Sequence, residues 1–293
     1  MEVGHRVRTL FALLTAAVAI AAVPAPAAGA PGAGERSALI VGVSRHAGGR
    51  PVGTVGGAGD ARALQEALRR AGWRDDQMRV LIDAGATAAA IRDGISWLYN
   101  RSTESSFSIF SYSGHTFQRD GDPDRDGEAL DEFLVPYDTA NIMADREVAE
   151  RLRPIRGWLW ANFAGCEAAG FDEAGLSGPQ RLVTASSAEP EKSYERPDWK
   201  MSVFVGLLVD EAILRNRGDA NGDGAVSIQE AFAYAAREAP AMTATQSRGP
   251  QNPQLFGGDG QPWYLGTPPP PPAPAPVPGP PPRQRLCIAF LCL

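Results

Sequence analysis

The chain has 293 residues and carries 28 Lys and Arg against 34 Asp and Glu, for a net charge of −6. That length holds one sizeable domain or two small ones. The basic residues are scattered rather than gathered in a stripe, which excludes nucleic acid as the expected partner.

At the amino end, Arg6 and Arg8 precede the apolar run LFALLTAAVAIAAV, and the small residues of PAPAAGA follow. This is the anatomy of a secretory signal over residues 1–30. Its apolar core is about 14 residues, where a bilayer span needs roughly 20. The sequence therefore predicts a mature protein that starts near Ala28 or Pro31, is secreted or associated with the cell envelope, and keeps no transmembrane span.

The segment SALIVGVS (37–44) reads as a buried strand. GDARALQEALRRAGW (59–73) reads as an amphipathic helix with Ala63, Leu64, Ala67, Leu68 and Ala71 on one face, and MRVLID (78–83) as the next strand. A second helix over 87–101 is capped by Thr87, and FSIFSYS (107–113) is the third strand. A polar loop then runs to FLVPYD, followed by a helix over 145–152, strands over 157–165 and 181–187, and a long helix over 201–216. Alternation of this kind predicts a single α/β domain over 35–266, with a mainly parallel central sheet flanked by helices.

The stretch 267–283 is too rich in proline for helix or central strand, and reads as an extended linker. A short apolar tail, 284–293, contains Cys287 and Cys292. A local disulfide, a docking tail and a frayed end are all open for it.

His115 in FSYSGHT and Cys166 in FAGCEAAGF each fall just past the carboxyl end of a predicted strand. Open α/β sheets build their sites there. A cysteine nucleophile needs a base or cation that raises its thiolate fraction, and that partner can be remote in sequence. Cys166 stands alone in the globular region. Of the other histidines, His5 lies in the leader and His46 in the polar loop SRHAGGR, without a motif. GTVGGAGD (53–60) lacks the Lys-Ser/Thr of a phosphate loop and reads as a βα turn that supplies Asp60.

DANGDGAVSIQE (219–230) fits the pattern of an EF-hand calcium loop at every specified position. Asp219, Asn221 and Asp223 are its side-chain ligands, Ala225 gives a carbonyl, Ser227 a direct or water-mediated contact, and Glu230 the bidentate carboxylate. Ca2+ is accordingly the expected cofactor. DPDRDGEALDEF imitates the first half of such a loop but ends on Phe133.

The ordered series ALIVGV, GGAGDARALQEALRRAGW, SYSGHT, DGDPDRDGEALDEFLVPYD, FAGCEAAGF and TASSAEPEKSYE resembles the metacaspase branch of the caspase-like cysteine peptidases, family C14. The separation of 51 positions from His115 to Cys166 agrees with the caspase interval. The resemblance implies a caspase/hemoglobinase fold and an endopeptidase acting on peptide or protein substrates. It makes Cys166 the nucleophile and His115 the acid/base, with the backbone N–H groups of Thr116 and Cys166 holding the oxyanion. It also implies a pocket for basic P1 side chains lined by Asp60 and Ser113, a second calcium site using Asp131 and Asp145, with Glu173 a further candidate, and self-cleavage near Lys192 in an exposed tract, 189–200. This chain departs from the family at four places. Gly57 stands for a cysteine, Ala164 for the second pocket aspartate, Glu167-Ala168 for His-Ser, and Thr116 for a glycine. Threonine keeps the N–H but lacks access to positive φ, and a carboxylate beside a thiol works against its ionisation. The alternative is a catalytically inactive caspase-like calcium-binding interaction module.

Overall fold

A computed structural model describes residues 34–49, 56–121, 130–172, 175–269, 287–288 and 291–292. The leader, the acidic stretch 122–129, Glu173 and the linker from 270 to 286 lie outside the described residues.

Strands β1 (Arg36–Gly42), β3 (Phe107–Ser113) and β7 (Trp158–Ala164) are buried along almost every residue. That is the mark of parallel strands covered on both faces. With β2 (Met78–Ile82), β8 (Arg181–Ala185) and β11 (Gln254–Gly257) they form a six-stranded sheet in the order β11-β8-β7-β3-β1-β2. Strands β1, β2, β3, β7 and β8 run parallel, and β11 joins the edge antiparallel to β8.

Alternate residues of each strand serve two cores, as the two-residue period of a strand requires. Ala38, Ile40, Phe107 and Ile109 face α1 (Gly57–Arg70), α4 (Val203–Val205, continued by a π-helix over Gly206–Leu214) and α5 (Ile228–Thr243). Leu39, Val41, Phe110 and Tyr112 face α2 (Ala88–Arg101) and α3 (Asp145–Leu152). Thr87 caps α2 as its residue type requires, its Oγ1 accepting from the Ala90 N–H at 3.2 Å. Among the described residues no helix is long and apolar enough to cross a membrane.

Two features depart from the sequence reading. The polar loop after SYSGHT is a second sheet, in which β4 (Thr116–Asp120) pairs antiparallel with β5 (Leu130–Leu134), and β5 with β6 (Met143–Ala144). The edge strand β11 is also new: four residues between Pro253 and Gly258 are too few to announce a strand by periodicity. In the tail, β12 (Cys287–Ile288) pairs antiparallel with β13 (Leu291–Cys292), which sets Cys287 opposite Cys292.

Candidate active site

The site grows out of one piece of strand register. Ser113, last in β3, is opposite Ala164, last in β7, and the Gly114 N–H continues the pairing to Ala164 O at 3.1 Å. Two residues further along each parallel strand stand His115 and Cys166, both half-buried at the carboxyl edge of the sheet. Beneath them, Asn162 Nδ2 donates to Ser111 Oγ at 3.0 Å, Thr184 Oγ1 donates to Asn162 Oδ1 at 2.8 Å, and Trp160 Nε1 donates to Thr184 Oγ1 at 2.9 Å.

The turn bearing Cys166 is braced on both sides. Ser186 Oγ accepts from the Gly165 N–H and donates to Gly165 O, and Ser187 Oγ also donates to that carbonyl. Thr116 Oγ1 donates to Cys166 O, tying the histidine strand to the cysteine turn. Residue 165 must be glycine for this contact, because a Cβ there would lie 2.6 Å from Thr116 Oγ1 and 2.9 Å from Gly114 O.

Thr116 opens β4 in extended backbone, so the positive φ that threonine disfavours is not in use at this position. The Val135 N–H donates to His115 O at 3.0 Å while Thr116 is opposite Leu134. In antiparallel geometry that makes Thr116 and Leu134 a non-hydrogen-bonded pair, so the Thr116 N–H points away from β5. The Cys166 N–H has no backbone acceptor among the described residues.

Beside this edge lies a buried acidic cluster centred on Asp60 of α1. Its buried carboxylate accepts from Ser113 Oγ and, at 2.9 Å, from the Ser202 N–H of β10 (Met201–Ser202). Burial pushes the Asp60 carboxyl up to about 6 against these bonds. The aspartate that the family carries at position 164 is here a buried alanine, but a second acid arrives from elsewhere. Glu195 of β9 (Glu195–Arg196) is pushed up to about 8, first by burial and then by the charge of Asp60. The Gly56 backbone N–H, against which the Glu195 carboxylate lies, works against that rise. Gly57 in place of cysteine has a steric cause, because a Cβ would lie 2.6 Å from Ser113 O and 2.7 Å from the Val43 backbone.

Glu195 is a residue the sequence reading passed over. The tract 189–200, expected to be exposed, is largely half-buried and folds as the β9–β10 hairpin against α1. Within it, Lys192 pairs with the buried carboxylate of Glu167, and Ser193 O lies 3.9 Å from Cys166 Sγ. The Glu167 carboxylate is thus matched by a cation rather than left bare beside the thiol. Glu167 adopts φ +53°, a left-handed conformation costing about 1–3 kcal/mol that persists only where the surroundings enforce it. His46, read as a loop residue without a motif, stacks on His115 with ring centroids 5.7 Å apart and planes 24° apart.

In the 219–230 loop, Asp219 accepts from the N–H groups of Gly222 and Gly224 at 2.8 and 3.0 Å, Asn221 from Asp223, and Asp223 from Ala225. Gly224 takes φ +87° at the sharp turn. Glu230 Oε2 accepts from both N–H and Oγ of Ser227, closing a capping box at the start of α5. Among the described residues no three His, Cys, Asp or Glu side chains converge closely enough to hold an ion. A calcium ion here would draw on Asn221, the Ala225 carbonyl and Ser227 as well, an all-oxygen set suited to a hard cation, and would need Glu230 to turn from its cap. Asp131 and Asp145 are both fully buried, on β5 and at the start of α3.

Comparison with known proteins finds the caspase-domain family over residues 35–257. Metacaspase-1 of Mycosarcoma maydis is 28% identical over 144 residues, covering 45% of this chain and 35% of that protein, so the match spans about a third of the relative's length. Protein GSU0716 from Geobacter sulfurreducens superposes with a TM-score of 0.59 at 16% identity, over 80% of this chain and 97% of its own, a likeness of fold alone.

Proposed function

Starting from the fact that the chain belongs to the caspase-domain family, we propose that it is a cysteine endopeptidase using a Cys166/His115 dyad. The observation that carries this reading is the β3–β7 register, which brings the two residues to one edge of the sheet. Cys166 Sγ attacks the scissile carbonyl carbon as its proton passes to His115. The Cys166 and Thr116 N–H groups receive the oxyanion, a contribution worth roughly 3–4 kcal/mol per donor in comparable sites. His115 then protonates the leaving amine, and takes a proton from the water that hydrolyses the thioester.

We assign the Asp60–Glu195 pocket to a basic P1 side chain. A guanidinium or ammonium group supplies the cation that the buried Asp60 and half-buried Glu195 carboxylates lack, with Glu195 as the acid it pairs with. Purified mature protein tests both parts. Arg- and Lys-P1 peptides are cleaved in preference to neutral ones, and Cys166→Ala abolishes cleavage. The inactive-module alternative requires that Cys166 show no His115-dependent labelling by a thiol-reactive peptide probe at any calcium concentration.

Calcium binding at Asp219, Asn221, Asp223, Ala225, Ser227 and Glu230 belongs to the same proposal, with Asp131 and Asp145 as the pair for a second ion. Calorimetric titration with Ca2+ tests the loop, since Asp219→Ala should remove one binding event. Export rests on the leader anatomy, and amino-terminal sequencing of the extracellular protein checks it.

A further inference from the structure

Within the dyad reading, we infer that His46 is a positioning residue for His115, holding the catalytic imidazole by its ring face. Three observations converge on it. His46 is 4% exposed although it sits in a loop rich in polar and glycine residues. Its ring stacks on His115 at a centroid distance of 5.7 Å and an angle of 24°, inside the range in which aromatic pairs attract. Its Nδ1 lies 3.1 Å from Pro136 O. A carbonyl only accepts, so Nδ1 carries the proton, and Nε2 is a buried lone pair without a partner among the described residues.

The same short segment clamps both rings. Pro136 O accepts from His46, Tyr137 O accepts from the Ala47 N–H at 2.9 Å, and the Val135 N–H donates to His115 O at 3.0 Å. Tyr112 Oη lies 2.8 Å from His115 O and 2.9 Å from Val135 O, its one O–H shared between the two carbonyls. Residues 135–137 thus fix the backbone that carries His115 and the edge of the ring that packs on it. A leucine would fill this space without leaving a buried polar atom unsatisfied, so packing alone gives no reason for an imidazole. A flat ring face against His115 does more than fill space: it restricts rotation of His115 about its side-chain bonds.

Two replacements of similar bulk test this, each made in the wild type and in His115→Ala. His46→Phe keeps a ring face and loses the bond to Pro136. His46→Leu keeps volume only. With an Arg-P1 peptide, His46→Leu should lower kcat by roughly 3- to 10-fold and leave KM within about two-fold, while His46→Phe stays within about two-fold of wild type in kcat. Iodoacetamide alkylation of Cys166 against pH, read without substrate, should change shape in His46→Leu. In the His115→Ala background His46→Leu should have no effect on it. Equal kcat and alkylation profiles for His46→Leu and wild type overturn the proposal. So does an equal loss in both replacements, or an effect of His46→Leu that survives removal of His115. If His115→Ala itself leaves the alkylation profile unmoved, the dyad fails and this proposal with it. If His115→Ala moves the profile and His46→Leu does not, the dyad stands and only the role of His46 falls.

Discussion

The 219–230 loop and the edge carrying His115 and Cys166 are built in opposite ways. Every candidate ligand of the loop lies within twelve residues, and its shape comes from side chains bonding to backbone N–H groups two to five positions on. The edge unites residues 51 positions apart, and its shape comes from strand register and three braces: Thr116 to Cys166 O, Ser186 to Gly165, and Val135 to His115 O. Local chemistry specifies a loop whatever the rest of the chain does. A site assembled by register depends on the whole sheet, so damage to the two regions should read out differently.

The largest effect is expected at the dyad. Cys166→Ala should reduce kcat/KM by at least about 10³-fold, and His115→Ala by about 10²- to 10⁴-fold, with the melting temperature little changed. Peptide hydrolysis and a thermal melt on the same samples check this. Next comes the pocket. Glu195→Gln should cost roughly 10- to 100-fold in kcat/KM on Arg-P1 peptides, as expected for losing a hydrogen bond to a charged group, and almost nothing on neutral P1. Equal losses on both substrates would show that Glu195 does not read P1.

The third effect is a pH dependence with a definite sign. Asp60 at about 6 and Glu195 at about 8 both lie above the unfolded carboxylate range near 4, so the native state holds protons that the unfolded chain releases. The stability they contribute is full below about pH 4 and is lost as pH rises through 6 and then 8. Melting temperature should therefore fall across this window, and less steeply in Glu195→Gln. Preference for Arg over neutral P1 should rise over the same window as the pocket gains charge.

The smallest effect on catalysis is expected from the local region. Asp219→Ala should remove calcium-induced stabilisation in thermal melts while leaving calcium-free kcat within about two-fold. A large loss of calcium-free activity would break the separation between the two regions.

What the sequence made legible follows the same division. The parallel strands are readable because each is a short run rich in β-branched and aromatic residues bounded by turns, and FSIFSYS is bounded to the residue. The EF-hand pattern needed no fold to be seen. His115 and Cys166 are singled out by their place after strands and by family resemblance, which carries information on tertiary proximity that spacing lacks. Glu195 and His46 were missed because their chemistry depends on neighbours contributed by other elements. Nothing in SYERP announces that the carboxylate will lie beside Asp60, and nothing in SRHAGGR that an imidazole will be buried against another. The sheet formed by β4, β5 and β6 was missed because its first strand ends exposed, and the acidic stretch separates it from the second.

The buried polar chain linking Ser111, Asn162, Thr184 and Trp160 acts as a check on alignment. Parallel strands buried on both faces, as β3, β7 and β8 are, could slide by two residues and still present suitable faces to both cores. Such a slip would carry His115 about 6.6 Å along β7 away from Cys166. It would also separate Ser111 from Asn162 and Asn162 from Thr184, which are opposite one another only in the observed register. Each buried polar group left alone would cost about 1–3 kcal/mol. These four side chains lie outside the proposed dyad, yet they make the misaligned sheet, in which His115 and Cys166 would never meet, the expensive outcome of folding.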